Sequence, residues 1–133
     1  MKNERNIRRR VLLVEDCEDF RTITVGFLKK RFQFELILAS SGTEAIQILS
    51  NDADFDLVIT DYQMPNGDGK DILNHINQLQ IDVPVVIFSG GGYDDSLFKH
   101  PKTFYKVDKP AVEKLEQVVW EVLSSPSKKS TKN

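Results

Sequence analysis

Short apolar runs alternate with segments of helical periodicity along most of the chain. The runs occupy positions 11–14, 34–39, 57–60, 83–88 and 104–107. Between them, apolar residues recur every three or four positions. This alternation is typical of β-strands connected by helices, and it predicts a parallel sheet covered by helices on both faces. We therefore expect an α/β fold, a doubly wound five-stranded sandwich of three layers with right-handed crossovers.

Four of the expected helices have a recognisable apolar stripe. In chain order, the inward residues would be Phe20, Ile23, Phe27 and Leu28; Ala45, Ile48 and Leu49; Ile72, Ile76 and Leu79; and Val112, Leu115, Val119 and Val122. The second helix opens with the sequence 41–44, in which Ser41 and Glu44 match a capping box. Asp68 or a neighbour is expected to begin the third helix.

A further helix, between the fourth and fifth strands, would be short. Three glycines at 90–92 precede only residues 93–100, and Pro101 ends the segment. Because glycine leaves the backbone less restricted than any other residue, we expect an unusually mobile loop after the fourth strand.

Polar and charged residues follow four of these strands directly. Glu15 and Asp16 follow the first, Asp61 follows the third, Ser89 the fourth and Lys109 the fifth. Because the carboxyl ends of parallel strands meet at one edge of an open sheet, these side chains should lie close together. Carboxylates suit a hard divalent cation such as Mg²⁺, and a hydroxyl and an ammonium group suit phosphoryl oxygens. The sequence therefore predicts a cation and phosphate site at this edge.

The charge distribution argues against nucleic acid as a partner. The chain has 133 residues and a net charge of −2, but five basic groups fall in positions 1–10 and three lysines in positions 124–133. The 10 basic and 19 acidic groups that remain in positions 11–123 give the body a net charge of −9. Binding to nucleic acid requires clustered Lys and Arg. The basic ends are expected to be solvated.

The cysteine content and the lengths of the apolar runs indicate where the protein is located. Cys17 is the only cysteine, which excludes an internal disulfide and argues against a cysteine-ligated metal site. The apolar run 11–14 stops at Glu15, well short of the ~7 to 15 residues of a signal-peptide core. No run approaches the ~18 apolar residues of a membrane-spanning helix. We expect a cytoplasmic protein without membrane insertion.

The residues at the strand ends resemble the receiver domain of two-component response regulators. The similarity rests on 15–16, on Asp61 with the downstream segments 64–65 and 67–69, on Ser89 and on Lys109 with its following proline. It extends over 11–123, which would leave 1–10 as a basic N-terminal arm and 124–133 as a flexible tail rich in Ser and Lys. The resemblance implies a flavodoxin-like sandwich with strand order 2-1-3-4-5.

The resemblance also implies a role for each site residue. Asp61 would accept a phosphoryl group from a phosphohistidine on a histidine kinase or a histidine phosphotransfer protein. Asp16 and Asp61 would bind Mg²⁺ directly, Glu15 would act mainly through water, and the backbone carbonyl of Gln63 would be a further ligand.

Two other residues would contact the phosphoryl oxygens. These are Ser89 and Lys109, and Ser89 would move inward to meet the new group. Phosphorylation adds about two negative charges. The expected function is a stand-alone receiver that changes its binding to a downstream effector protein, or passes the phosphoryl group on, rather than a dedicated enzyme.

Two alternatives stay open at this point. A Mg²⁺-dependent phosphohydrolase of the haloacid dehalogenase type would require an aspartate two residues after the nucleophile, and that position holds Gln63. A pseudo-receiver would bind partners without phosphorylation.

The sequence departs from the family pattern near the fifth strand. Receivers usually carry Tyr or Phe three residues before the lysine, whereas this chain has Lys106 there and Tyr105 beside it. Either the strand register is shifted by a residue or the aromatic coupling is altered. Trp120 lies off the apolar stripe of the last helix, so it should either pack at the edge against strand five or contact a partner.

Overall fold

A computed structural model describes residues 9–91 and 103–124 of the chain. Its elements are β1 (Arg10–Val14), α1 (Glu18–Arg31), β2 (Glu35–Ala39), α2 (Gly42–Asn51), β3 (Leu57–Thr60), α3 (Gly69–Gln78), β4 (Val85–Ser89), β5 (Thr103–Asp108) and α4 (Val112–Ser124). The strands form one sheet in the order β2-β1-β3-β4-β5, and every neighbouring pair is parallel. The predicted fold class and strand order are confirmed.

Two hydrophobic clusters lie on opposite faces of the sheet. Along β1, Leu12 and Val14 belong to the cluster beneath α2 and α3, whereas Val11 and Leu13 belong to the cluster beneath α1 and α4. All four side chains are buried. Because successive side chains of a strand point to opposite faces, a sheet covered on both sides requires a continuous apolar run. This is why the strands stood out in the sequence.

Two helices begin with side-chain caps, and one of them differs from the prediction. Ser41 Oγ accepts a hydrogen bond from the Glu44 backbone N–H at 3.1 Å, as expected. The Glu44 carboxylate, however, accepts from the backbone N–H and hydroxyl of Ser40 rather than from Ser41. These hydrogen bonds lower the pKa of Glu44 below its ordinary value. A full reciprocal capping box is formed instead by Asp68 and Asp71 at the start of α3.

The apolar stripes of two helices were predicted with errors. Ile23 is 59% exposed, and Thr24 is buried in its place because its hydroxyl donates to the Phe20 carbonyl at 2.9 Å. Leu79 is 50% exposed because α3 has already ended at Gln78, and the third apolar contact of that helix comes from the buried Leu73. The inward residues predicted for α2 are confirmed.

The pairing of β5 with β4 contains a bulge, which shows how Lys106 and Lys109 are placed along the strand. Val85 pairs with Thr103, but Val86 pairs with Tyr105, so one extra residue is accommodated between those pairs. From Tyr105 onward the pairing with β4 is regular. Lys106 therefore keeps the strand position three residues before Lys109, and its side chain is exposed. Tyr105 packs against the hydrophobic cluster beneath α1 and α4. Residue 92 and the predicted helix at 93–100 lie outside the described residues.

Trp120 lies at the seam between α1 and α4. Its ring centroid is 4.9 Å from that of Phe32, which follows α1, whereas the sequence predicted either edge packing against strand five or contact with a partner. Half of the side chain, 51%, stays exposed. Within 9–91 and 103–124, no helix combines the length and the hydropathy that a bilayer crossing requires.

Candidate functional site

The carboxyl ends of four strands converge at one edge of the sheet. Glu15 follows β1, Asp61 follows β3, Ser89 ends β4 and Lys109 follows β5. One carboxylate oxygen from each of Glu15, Asp16 and Asp61 lies within 4.8 Å of the others. We call these three residues the acidic pocket. The structure thus brings together the acids that the sequence placed at the strand ends.

The Lys109 ammonium contacts two of the three acids of this pocket. Its Nζ donates to Asp61 Oδ2 and to Glu15 Oε1, each at 2.8 Å. The Lys109 backbone N–H donates to the Ser89 carbonyl at 3.0 Å, which fixes where the side chain starts. Burial by itself would lower the pKa of Lys109, but the hydrogen bonds to Asp61 and Glu15 outweigh it and raise that pKa above its ordinary value. The group is therefore an ammonium at neutral pH.

Glu15 is the most buried acid of the pocket, at 3% exposure. Burial raises its pKa, and the hydrogen bonds from Lys109 and from the Cys17 backbone N–H only partly offset that effect. Arg21 Nη1 donates to the Glu15 backbone carbonyl at 2.6 Å and so supports the chain beside the pocket. A buried carboxylate of this kind is stabilised by any cation held next to it.

Asp61 is fixed in orientation by its neighbours. It is 8% exposed, and its Oδ1 accepts a hydrogen bond from the Tyr62 backbone N–H at 2.7 Å. Its own backbone N–H donates to the Val14 carbonyl at 3.1 Å, which continues the pairing of β1 and β3. Because both carboxylate oxygens have a donor, the side chain presents a defined face to the pocket edge.

The loop after Asp61 is tied to the start of α2 by close backbone contacts. Gly42 N–H donates to the Gly67 carbonyl at 2.9 Å, and a Cβ at Gly42 would come within 2.5 Å of that carbonyl group. Gly67 itself has φ +98°, a backbone conformation that favours glycine. Gln63, between Asp61 and this contact, is exposed.

Ser89 is buried at the same edge, at 1% exposure. Its hydroxyl donates to the Gly91 carbonyl at 3.3 Å, within its own loop, rather than to the acidic pocket. The hydroxyl would have to turn away from this partner to reach a group bound at Asp61.

Three residues near the pocket were not identified from the sequence. Phe20 has its ring beneath the Lys109 ammonium, Arg21 supports the Glu15 carbonyl, and Gly42 fixes the loop after Asp61. The first two looked like ordinary positions of an amphipathic helix. Gly42 alone had a signal in the sequence, because glycine is unfavourable in a helix and is unusual in its first turn.

The sequence model of the response regulator receiver domain matches residues 11–103 of this chain. The chain belongs to the response regulator receiver domain family. As a receiver it is part of two-component signalling, and its match includes the acidic pocket but ends before Lys109.

Known proteins resemble this receiver over most of its length. It is 33% identical over 122 residues to the two-component response regulator ORR42 of Oryza sativa subsp. japonica, covering 91% of this chain and 92% of that one. It is 32% identical over 116 residues to the two-component response regulator ARR11 of Arabidopsis thaliana, covering 84% of this chain but only 22% of that protein.

A solved structure shows the same receiver architecture. The signal receiver domain of a protein described as a Luxo repressor, from Vibrio parahaemolyticus, superposes with a TM-score of 0.80 at 28% identity. The match covers 89% of this chain and 92% of that domain. The strand order is thus that of a receiver fold.

Proposed function

We propose that this receiver is a Mg²⁺-dependent phosphoacceptor that acts as a cytoplasmic signalling switch. Asp61 accepts the phosphoryl group, and the added charge alters the binding of a partner protein. The observation that carries this proposal is the position of the Asp61 carboxylate, 2.8 Å from the Lys109 ammonium and inside a cluster of three acids. A nucleophile, a cation and a set of hard oxygen ligands therefore lie within one small volume.

The residues of the acidic pocket fit magnesium. Mg²⁺ is bound through hard oxygen atoms and keeps several waters, and the pocket offers carboxylates from Glu15, Asp16 and Asp61 with oxygens within 4.8 Å of one another. Asp16 is exposed, so one side of the pocket is open to water. Asp61 and Asp16 would hold the ion, with Glu15 acting through water and the Gln63 carbonyl as a further ligand. When bound, the ion offsets the negative charge of the acids and of an incoming phosphoryl group.

The proposed transfer uses the Asp61 carboxylate and the Lys109 ammonium, which already lie 2.8 Å apart, and a Ser89 hydroxyl that has to turn. A carboxylate oxygen of Asp61 attacks the phosphorus of a phosphohistidine; the new P–O bond forms as the P–N bond breaks, and the histidine nitrogen keeps the electron pair. The Lys109 ammonium stabilises the charge on the phosphoryl oxygens. The Ser89 hydroxyl turns from the Gly91 carbonyl and donates to the same group.

The chemistry of the donor and acceptor defines the partners. A histidine kinase or a histidine phosphotransfer protein would supply the phosphoryl group, and a downstream effector protein would respond to it. We propose no dedicated enzymatic activity: the chemistry is limited to phosphorylation of Asp61 and slow hydrolysis of the aspartyl phosphate, which releases phosphate and restores the carboxylate. The exposed Lys106, where receivers usually carry an aromatic residue, favours one alternative: binding of a partner without phosphorylation.

Intact-mass spectrometry after incubation with acetyl phosphate tests this proposal. The wild-type protein should gain one phosphoryl group in the presence of Mg²⁺ and none in the presence of EDTA. Asp61→Asn should gain none, because the amide cannot act as the acceptor. Asp19→Asn is the matched control, since Asp19 is an exposed acid in the first turn of α1 and lies outside the pocket.

Two outcomes would contradict the proposal. Phosphorylation of Asp61→Asn at the wild-type level would place the acceptor elsewhere. Failure of the wild-type protein to accept phosphate from either acetyl phosphate or phosphoramidate, with partner binding intact, would favour the pseudo-receiver.

A further inference from the structure

Phe20 is an aromatic residue placed directly against the charged centre of the site. It is the third residue of α1, and its ring centroid lies 4.4 Å from Lys109 Nζ. The ring also contacts Phe88, at 5.6 Å between centroids, and Phe88 immediately precedes Ser89. The Phe20 carbonyl is held by the Thr24 hydroxyl. The ring therefore contacts both Lys109 and the end of β4.

The contacts of the ammonium show what this ring can do. Lys109 has three N–H donors, and the described contacts of Nζ are Glu15 Oε1, Asp61 Oδ2 and the Phe20 ring. An ammonium over an aromatic face within about 6 Å is attracted by the ring quadrupole, and the attraction grows as water is excluded. The side chain of Lys109 is only 18% exposed. The ring thus adds an attraction that keeps the ammonium on the two carboxylates.

A divalent ion needs the same carboxylates. The oxygens that accept from Lys109 belong to two of the three acids of the pocket. Two cations sharing one small anionic pocket repel each other, so an ion bound to Asp61 favours displacement of the ammonium from its present position.

We propose that Phe20 is a positioning residue: its ring face holds the Lys109 ammonium on Glu15 and Asp61 in competition with a divalent cation. The ring thereby sets how readily the pocket accepts the ion and how readily Lys109 leaves for a phosphoryl group. This inference rests on the proposed function for the identity of the ion, Mg²⁺. It concerns a contact made by α1, whereas the family aromatic discussed above would lie on β5, where this chain has Lys106.

A series of fluorinated phenylalanines at position 20 tests the proposal. Mono-, di- and trifluorinated rings keep nearly the same shape and progressively weaken the attraction of the ring face for a cation. We expect the Kd of Mg²⁺, measured by isothermal titration calorimetry, to fall along the series by about five-fold in total, which corresponds to about 1 kcal/mol. Phe20→Tyr, which keeps the ring face, should bind Mg²⁺ as the wild-type protein does.

The same series in Lys109→Met is the matched control. Without the ammonium there is nothing for the ring face to hold, so the Mg²⁺ affinity should not depend on fluorination. A flat series in the wild-type background would show that Phe20 acts by packing alone. The same trend in the Lys109→Met background would show that the ring acts on the metal without the ammonium, and either result would overturn the proposal.

A second measurement needs neither metal nor phosphorylation. Protons above an aromatic ring face are shifted upfield, so the terminal methylene protons of Lys109 should resonate upfield in the wild-type protein and in Phe20→Tyr. They should return to ordinary values in Phe20→Leu. Ordinary values in the wild-type protein would refute the contact itself, whereas loss of phosphorylation with the upfield shift intact would refute only the proposed function.

Discussion

Lys109 connects the stability of the domain with its proposed function in a single side chain. Its ammonium is the shared partner of two buried carboxylates, and each partner is otherwise costly to bury. The folded-state pKa of Lys109 is raised, so its stabilising contribution is complete below the ordinary value of 10.5 and is lost only as the pH rises through the higher folded value. The pKa of Glu15 is raised above 4.5 by burial, so this acid is easily neutralised once its cation is removed.

Lys109→Met should therefore destabilise the domain in a pH-dependent way. Near pH 7 we expect a loss of about 2 kcal/mol, because Glu15 and Asp61 are left buried without a cation. The loss should shrink as the pH falls toward the raised pKa of Glu15, since protonation removes the negative charge of that buried carboxylate. Urea unfolding at several pH values measures this. Lys114→Met, at an exposed position of α4, is the control, and an equal deficit at every pH would contradict the explanation.

The identities of the site residues were predictable, but their contacts were not. The rule that parallel strands end at one edge placed Glu15, Asp61 and Lys109 together, because it depends only on where each apolar run stops. Phe20 could not be distinguished from an ordinary inward residue of α1, since its role depends on a contact with a residue far along the chain. The direction of the Ser89 hydroxyl depends on loop geometry, which residue spacing does not specify.

Replacing a helical glycine by alanine should have opposite effects on stability at two positions. Gly42→Ala should destabilise the domain by about 1–3 kcal/mol, because the new Cβ would lie 2.5 Å from the Gly67 backbone. Gly26→Ala should stabilise it by about 1 kcal/mol, because alanine favours a helix and, among the described residues, nothing beyond the adjoining helix backbone lies within 4 Å of the added Cβ. Chemical denaturation of both variants checks this pair. A neutral Gly42→Ala would mean that the loop after Asp61 can move aside without cost.

One helix and one strand have features that the periodicity of apolar residues could not predict. The stripe of α1 passes through Thr24 because a threonine hydroxyl can bond to the preceding turn, and a hydrophobic pattern alone favoured Ile23 instead. The bulge of β5 adds one residue before Tyr105 without any glycine or proline to mark it. Both features depend on hydrogen bonding, which the apolar pattern does not record.

Metal binding should raise the stability of the whole domain. A ligand that binds only the folded state contributes about 2.7 kcal/mol at a concentration one hundred times its Kd. For a domain of this size, that corresponds to a rise in Tm of roughly 10 °C. Differential scanning calorimetry with Mg²⁺ and with EDTA measures it. Asp16→Asn should lose most of the rise, and a full rise in that variant would exclude Asp16 from the metal site.

The two edges of the sheet carry different charge arrangements. At the edge opposite the acidic pocket, Arg10 pairs with Glu35 at 3.2 Å and with Asp52 at 3.0 Å, and its guanidinium lies over the Phe55 ring. These contacts join β1, β2 and the segment before β3. Arg10, which the sequence placed in the basic arm, is thus the first residue of the sheet.

The separation of the two edges indicates where a label can be attached without blocking the acidic pocket. Arg9 precedes β1 at the edge away from the carboxylates, and Ser124 follows Trp120, whose ring touches Phe32 near that same edge. A fluorophore, an affinity handle or a sensor chip attached at either place would leave the approach to Asp61 open to a large donor protein. Immobilisation through a lysine near the opposite edge would instead obstruct that approach.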